Sequence, residues 1–189
     1  MTALGIMGSP RIRSNTDILL DEALRGAQTE GAVTEKLLVG KMNIAPCKEY
    51  YGCLRDGNCV IRDDMDLVYP KLLSADVVIV ASPIFFYGLT AQVKALIDRG
   101  QALWARKYVL KQAPPNSTRK GAFIGVGATR GKNLFEGSAL TLKYFFSAIG
   151  VSYAGEVLVR GVDEKGEIRK HPEALAEAFE LGKRLVRDS

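Results

Sequence analysis

Short apolar runs alternate with amphipathic stretches along the chain. Ala3–Met7 is a compact apolar run, and from about Asn15 onward Ile18, Leu19, Ala23, Leu24 and Ala27 recur at helical spacing. Val33–Val39 reads as a second strand although it carries charges. Met65–Leu73 predicts a short helix with Asp63 or Asp64 as its cap. Val77–Ala81 is β-branched and uncharged, as a strand buried on both faces of a parallel sheet must be. Leu89–Trp104 predicts a helix with Val93, Leu96, Ile97 and Leu103 along one face. Ala122–Val126 follows as a fourth strand, Ser138–Ile149 as a helix ending at Gly150 in a left-handed cap, and Val151–Val159 as a fifth strand. Pro172 opens a last helix whose Leu175, Phe179, Gly182, Leu185 and Val186 share a face. Strands and helices in strict alternation predict an α/β fold built on a parallel sheet, in a single domain over residues 1–189.

Two stretches break the pattern. Residues 109–119 carry Pro114 and Pro115 and read as a connecting loop. Residues 40–63 lack periodicity and hold all three cysteines, and a loop that long in a compact domain is usually functional.

Composition narrows the classes. Hydrophobic residues at 47% and charged residues at 25% are those of a globular protein, and no run approaches the length of a membrane span. The N-terminus has neither a basic segment nor a long apolar one, so a cytoplasmic chain is expected. Net charge is +5, but the 26 basic residues are scattered among 21 acidic ones, with no basic stripe interleaved with aromatics. That argues against nucleic acid and suits small anionic ligands.

The loop Gly8-Ser9-Pro10-Arg11-Ile12-Arg13-Ser14-Asn15-Thr16 lies between the first strand and the first helix, where open α/β sheets place ligands. Ser9, Ser14, Asn15 and Thr16 offer donors, Arg11 and Arg13 offer charge, and the helix N-terminus adds its dipole, a set suited to a phosphate. It is not a Walker loop, because no lysine stands in it. A helix cap alone would need one such residue rather than four. After the third strand, Ser82-Pro83-Ile84-Phe85-Phe86-Tyr87-Gly88 supplies apolar and aromatic walls for a flat ring. The alternative for these aromatics is the core, but consecutive residues cannot all face one way. After the fourth strand, Gly125-Val126-Gly127-Ala128-Thr129-Arg130-Gly131 does not open its helix and lacks the acidic residue about 20 positions on, so it is not a dinucleotide fingerprint.

The segment GSPRIRSNT, followed by VVIVASPIFFYGLTAQVKALIDR over residues 77–99, resembles the flavodoxin-like NAD(P)H-dependent FMN reductases, and within them the iron–sulfur flavoprotein branch. The similarity runs from Leu4 to about Val186. It implies a three-layer sandwich with helices on both faces of a five-stranded parallel sheet in order 2-1-3-4-5. It implies an FMN phosphate held by Ser9, Arg11, Ser14, Asn15 and Thr16. It places Pro83, Ile84, Phe85 and Phe86 against the flavin, with Gly127, Ala128 and Thr129 beside the ring, although plain turn chemistry accounts for those three equally well.

The cysteines depart from the branch. Its motif is C-x2-C-x2-C-x(4–7)-C; aligned on Cys47, the second position is Tyr50, the third Cys53 and the fourth Cys59. A [4Fe–4S] cluster is held by four thiolates and this chain supplies three, so no metal is expected. Free thiols in a reducing compartment are the reading. The resemblance implies an oxidoreductase that passes a hydride from NAD(P)H through FMN to a quinone, flavin or similar small acceptor. Such chemistry belongs to the cofactor and requires no catalytic acid or base from the protein. It also implies a homodimer or homotetramer. The alternative is a flavodoxin-like electron carrier, but flavodoxins are strongly acidic and this chain is not.

Overall fold

The computed structural model describes residues 1–112 and 118–187. The five apolar runs form β1 (Thr2–Met7), β2 (Val33–Leu38), β3 (Val77–Pro83), β4 (Lys120–Gly127) and β5 (Ser152–Arg160). Every pairing is parallel and the order is β2-β1-β3-β4-β5, the order that the resemblance implies. The charges within β2 are explained by its position at the sheet edge, where five of its six residues are at least partly open. Lys36, on that edge, reaches two carboxylates of the first helix.

The helices are α1 (Asn15–Thr29), α2 (Cys53–Asp56), α3 (Met65–Ser74), α4 (Ala91–Arg99), α5 (Gln101–Trp104), α6 (Glu136–Ala148) and α7 (Pro172–Arg187). The helix expected over residues 89–104 starts later and is divided at Gly100. Thr90 caps its start, its hydroxyl accepting from the Val93 amide and donating to the Gly8 carbonyl at 2.8 Å, which ties β1 to α4. At Gly100 a Cβ would meet the Ile97 carbonyl at 2.8 Å and the Phe145 ring at 3.1 Å, so the break admits α6. Within the loop expected at residues 40–63, α2 and a 3-10 turn at Val39–Lys41 also form. Asp63 rather than Asp64 bonds the first turn of α3, accepting from the Met65 amide at 3.0 Å. Gly150 ends α6 at φ +73 as expected. Pro114 and Pro115 lie outside the described residues.

Each face of the sheet has its own apolar cluster. Leu19, Leu20, Ile79, Ile124, Val157, Leu181 and Leu185 join α1 and α7 to one face; Ile6, Val78, Val80, Leu96, Phe123, Leu142 and Phe146 join α3, α4 and α6 to the other. The first cluster depends on backbone contact. A Cβ on Gly26 would stand 2.0 Å from the Phe179 carbonyl, and one on Gly182 would stand 1.8 Å from the Ala23 carbonyl, so α1 and α7 touch main chain to main chain. On the other face, the buried Arg119 donates to the carbonyls of Leu72, Ala75 and Ile149, closing the ends of α3 and α6. Among the described residues, no helix is long and apolar enough to cross a membrane.

Candidate functional site

The carboxyl ends of the strands open into one cleft, which lies at the switch point where β1 sends its chain to one side and β3 to the other. The cleft encloses about 200 Å³ and is lined by the loops after β1, β3, β4 and β5. Of the residues expected to hold a ligand, Ser9, Arg11, Ser14, Asn15, Thr16, Pro83, Ile84, Phe85 and Ala128 line it together. Phe86, Gly127 and Thr129 do not.

At the β1 end, local hydrogen bonding prepares donors. Ser14 caps α1, its Oγ accepting from the Asp17 amide at 3.3 Å, and stands 3.1 Å from the Thr16 Oγ1. One of these two hydroxyl protons joins the pair, which leaves the other to point outward. Ser9 Oγ accepts from the Arg11 amide at 3.1 Å and keeps its own proton to donate. Helical geometry leaves the amides of Asn15 and Thr16, the first two of α1, without an internal acceptor. Asp17, buried behind the loop, would repel an anion, but its charge is spent. It accepts from the Arg13 amide at 2.7 Å and pairs with Lys36 at 2.8 Å. Burial works to lower the Lys36 pKa, yet the bonds to Asp17 and Asp21 outweigh it and leave that pKa raised.

Asn15, which lines the cleft, has a further task in its side chain. Its carboxamide donates to the Glu164 carbonyl at 2.9 Å and accepts from the Ile168 amide at 3.2 Å. It therefore fastens the β5–α7 loop against the cleft. That loop contributes Val162, Asp163 and Lys165 to the lining, none of them indicated by sequence reasoning. Gly127 is structural in the same way, its carbonyl accepting from the amides of Gly161 at 2.8 Å and Val162 at 3.3 Å. The signal that could have found these residues is the strand order, which sets the end of β5 beside the end of β4.

At the β3 end, Ser82 Oγ accepts from the Thr90 amide at 3.2 Å and holds the two ends of the aromatic loop together. Phe85 and Gly88 pair through two 3.0 Å backbone bonds, and Phe86 and Tyr87 reverse the chain between them at φ +49 and +61. Such a two-residue turn ordinarily takes Asn-Gly. Bulky residues at left-handed φ cost about 1–2 kcal/mol each. Phe86 is fully exposed, whereas Tyr87 lays its phenol across Gly131, where a Cβ would fall 2.0 Å from the hydroxyl. The loops after β3 and β4 are thereby latched together.

The cysteine loop has a separate support. Arg99, fully buried, donates to both oxygens of Asp63 at 2.6 and 3.2 Å and to the carbonyls of Ala45 and Ile61. Burial pushes the Asp63 carboxyl up, but the bonds from Arg99 and from the Ala45 and Met65 amides prevail and hold it below the ordinary carboxylate range. Arg106 donates to the Gly57 carbonyl at 2.8 Å and to the Asn58 side chain at 2.6 Å. A four-thiolate cluster does not fit this loop. Tyr50 stands exposed at the second position, and no three His, Cys, Asp or Glu side chains among the described residues are placed to hold a metal ion. Burial is the largest cause that pushes the Cys53 thiol up.

A parallel sheet in order 2-1-3-4-5 with its cleft at the β1/β3 switch point defines the flavodoxin-like class of α/β proteins. Within that class, residues 1–155 match the model of the NADPH-dependent FMN reductases, and the chain belongs to that family. An iron–sulfur flavoprotein of Methanosarcina thermophila is 37% identical to it over 130 residues, covering 69% of this chain and 65% of that protein. Another, from Archaeoglobus fulgidus, is 32% identical over 194 residues, covering 94% of this chain and 96% of that protein. The fold is shared with the NAD(P)H:quinone oxidoreductase from Methanothermobacter marburgensis, at a TM-score of 0.76 and 17% identity, over 98% of this chain and 96% of that one. The chain spans 65%, 53% and 45% of the lengths of three curated iron–sulfur flavoproteins that it matches.

Proposed function

We propose that the chain is an FMN-dependent oxidoreductase that takes a hydride from NAD(P)H and passes it to a quinone, a free flavin or a similar small acceptor. The observation that carries this reading is the two-ended cleft: donors and a cation converge after β1, and apolar and aromatic walls stand after β3. The ends match the two parts of FMN, a phosphate and a flat ring. The Ser9, Ser14 and Thr16 hydroxyls, the Arg11 guanidinium and the first α1 amides, that of Asn15 among them, bind the phosphate. Pro83, Ile84 and Phe85 flank the ring, and Ala128 borders it from the β4 side. Phe86, Gly127 and Thr129 act from outside this first layer, Phe86 at the mouth and Gly127 as a support of the β5 loop.

Bound FMN would supply hydride acceptance and release at its ring, so the chain contributes binding and orientation and no acid or base. The Ser82, Thr90 and Tyr87 contacts fix the wall against which the ring and then the second substrate stack. The relatives' iron–sulfur name is not carried over to this chain, which has Tyr50 where the branch's motif places its second cysteine. We assign it to the cytoplasm as a homodimer or homotetramer, in keeping with free thiols and exposed aromatics at the cleft mouth.

Anaerobic mixing of the FMN-loaded protein with NADPH and with NADH tests the reading. Bleaching of the bound flavin near 450 nm, followed by recovery on adding a quinone, is the expected result. A flavin that binds and stays oxidised with both nucleotides would favour a carrier instead.

A further inference from the structure

The three thiols of the cysteine loop have no part in the flavin reading, yet the loop that carries them is held in a defined shape. The chain reverses at Gly57, whose φ is +77 and whose amide donates to the Cys53 carbonyl at 2.9 Å. Arg106 packs on that glycine, where a Cβ would stand 2.4 Å from the Arg106 Cγ, and its bonds to Gly57 and Asn58 fix the reversal. The Asn58 amide donates to the Asp56 Oδ1 at 2.8 Å. Beyond the reversal the two limbs touch, because a Cβ on Gly52 would fall 2.5 Å from the Val60 Cγ1. Gly52 directly precedes Cys53 and Val60 directly follows Cys59, so the two cysteines hold adjacent positions on facing limbs.

The surroundings of the two sulfurs differ. Burial raises the Cys53 pKa most, and of the two other thiols Cys59 adds more to the rise than Cys47 does. Cys59 stands near a buried cation. Burial opposes the Arg99 charge, and Asp63, Tyr69 and Cys59 all support it. Burial also raises the Tyr69 pKa, with Cys59 the next cause, while the Tyr69 hydroxyl donates to the Arg99 carbonyl at 2.9 Å. The Arg99 Nε is buried and, among the described residues, has no hydrogen-bond partner. All three cysteines are half-buried, within reach of a small solute. A metal needs several ligands converging on one point, which this loop does not offer, whereas a disulfide needs only two sulfurs in contact. A sulfur attacks as the thiolate, whose charge a neighbouring cation stabilises, and a thiol that has stayed protonated follows as the second nucleophile.

We propose that Cys53 and Cys59 form a dithiol site that exchanges with small-molecule disulfides, Cys59 attacking first and Cys53 closing the intramolecular bond. The Cys59 thiolate attacks one sulfur of the incoming disulfide, whose S–S bond breaks and releases one thiolate. The Cys53 thiol then loses its proton, attacks the Cys59 sulfur and expels the second thiolate. The two cysteines are oxidised, the small disulfide is reduced to two thiols, and the two cysteine protons end on those products. The site works without the flavin, so it stands or falls apart from the oxidoreductase reading.

Glutathione disulfide is the probe, added anaerobically to the folded protein with FMN present, for the parent and for C47S, C53S and C59S. Intact mass, free-thiol titration and mapping of non-reduced peptides follow the reaction over time. The parent and C47S should each lose two thiols into a Cys53–Cys59 link. C53S should stop at a glutathione adduct on Cys59, formed about tenfold or more faster than one on Cys47, and urea should abolish that preference. C59S should keep its two remaining thiols unlinked. A link through Cys47, equal rates at all three thiols of the folded protein, or thiols that stay reduced would overturn the assignment. Iron and sulfide bound to the anaerobically purified protein would also overturn it, because the thiols would then be ligands. A flavin that NAD(P)H bleaches in samples whose thiols stay reduced would remove this inference alone.

Discussion

The two ends of the cleft are built on opposite terms. At the β1 end, Ser9, Ser14, Thr16 and Asp17 are all buried, their polar groups are engaged, and the loop is continuous with a helix seated on α7. At the β3 end, Phe85, Phe86 and Tyr87 are half or fully exposed and the chain turns through left-handed φ at two aromatic residues. At the first end hydrogen bonds within the loop hold the hydroxyls in place, and Arg13 alone among its residues takes a left-handed φ, at +55, which suits a group that stays. The second spends conformational energy to hold aromatic surface in solvent, which suits partners that come and go.

The largest effect is expected where the rigid end meets the core. In Gly182→Val the new side chain must displace the Ala23 carbonyl, so α7 lifts from α1 at a cost of about 3 kcal/mol. A thermal unfolding scan should record a fall in Tm with loss of FMN binding; an unchanged Tm would show that the helices are free to separate. Arg11→Ala should weaken FMN about tenfold or more while leaving Tm near that of the parent, because Arg11 is exposed and touches the core nowhere. Flavin fluorescence quenching measures this, and unchanged affinity would remove Arg11 from the phosphate end.

Phe86→Asn sharpens the contrast from the other side. It relieves a positive φ at a residue that packs on nothing, so stability should rise by about 1 kcal/mol, while KM for a quinone acceptor rises. A loss of stability would mean that Phe86 has a packing role.

The smallest effect concerns pH. Asp63 has a folded pKa below its unfolded one, so the unfolded chain binds more protons as pH falls. The stability from the Asp63–Arg99 pair is therefore complete above the ordinary carboxylate pKa near 4 and drains away below it. Asp63→Asn should flatten the acid limb of a Tm-against-pH curve between about pH 5 and 2 relative to the parent. Coincident limbs would assign the acid sensitivity elsewhere.

Legibility in the sequence followed the same division. Strands β1, β3 and β4 and the 9–16 loop declare themselves because their signals are local: uninterrupted apolar runs, then hydroxyls and arginines in succession. The resemblance added the strand order, which periodicity does not encode, and the structure bears it out. What stayed hidden depends on contacts across the fold. The tie from the Asn15 side chain to Glu164 and Ile168 reaches some 150 residues on, and nothing in the 9–16 loop announces it. Lys165 enters the cleft only through the turn that Asn15 fastens. The direction of Phe86 follows from the φ values of a turn whose residues are not those that turns usually employ.

The central claim is a site with one end for a phosphate and the other for a flat ring, and comparing FMN with riboflavin tests it most directly, because the two ligands differ only in that phosphate. Fluorescence titration of the parent protein should give FMN the tighter binding by roughly a hundredfold, with Arg11→Ala narrowing the gap. Equal affinities for the two flavins would contradict the account.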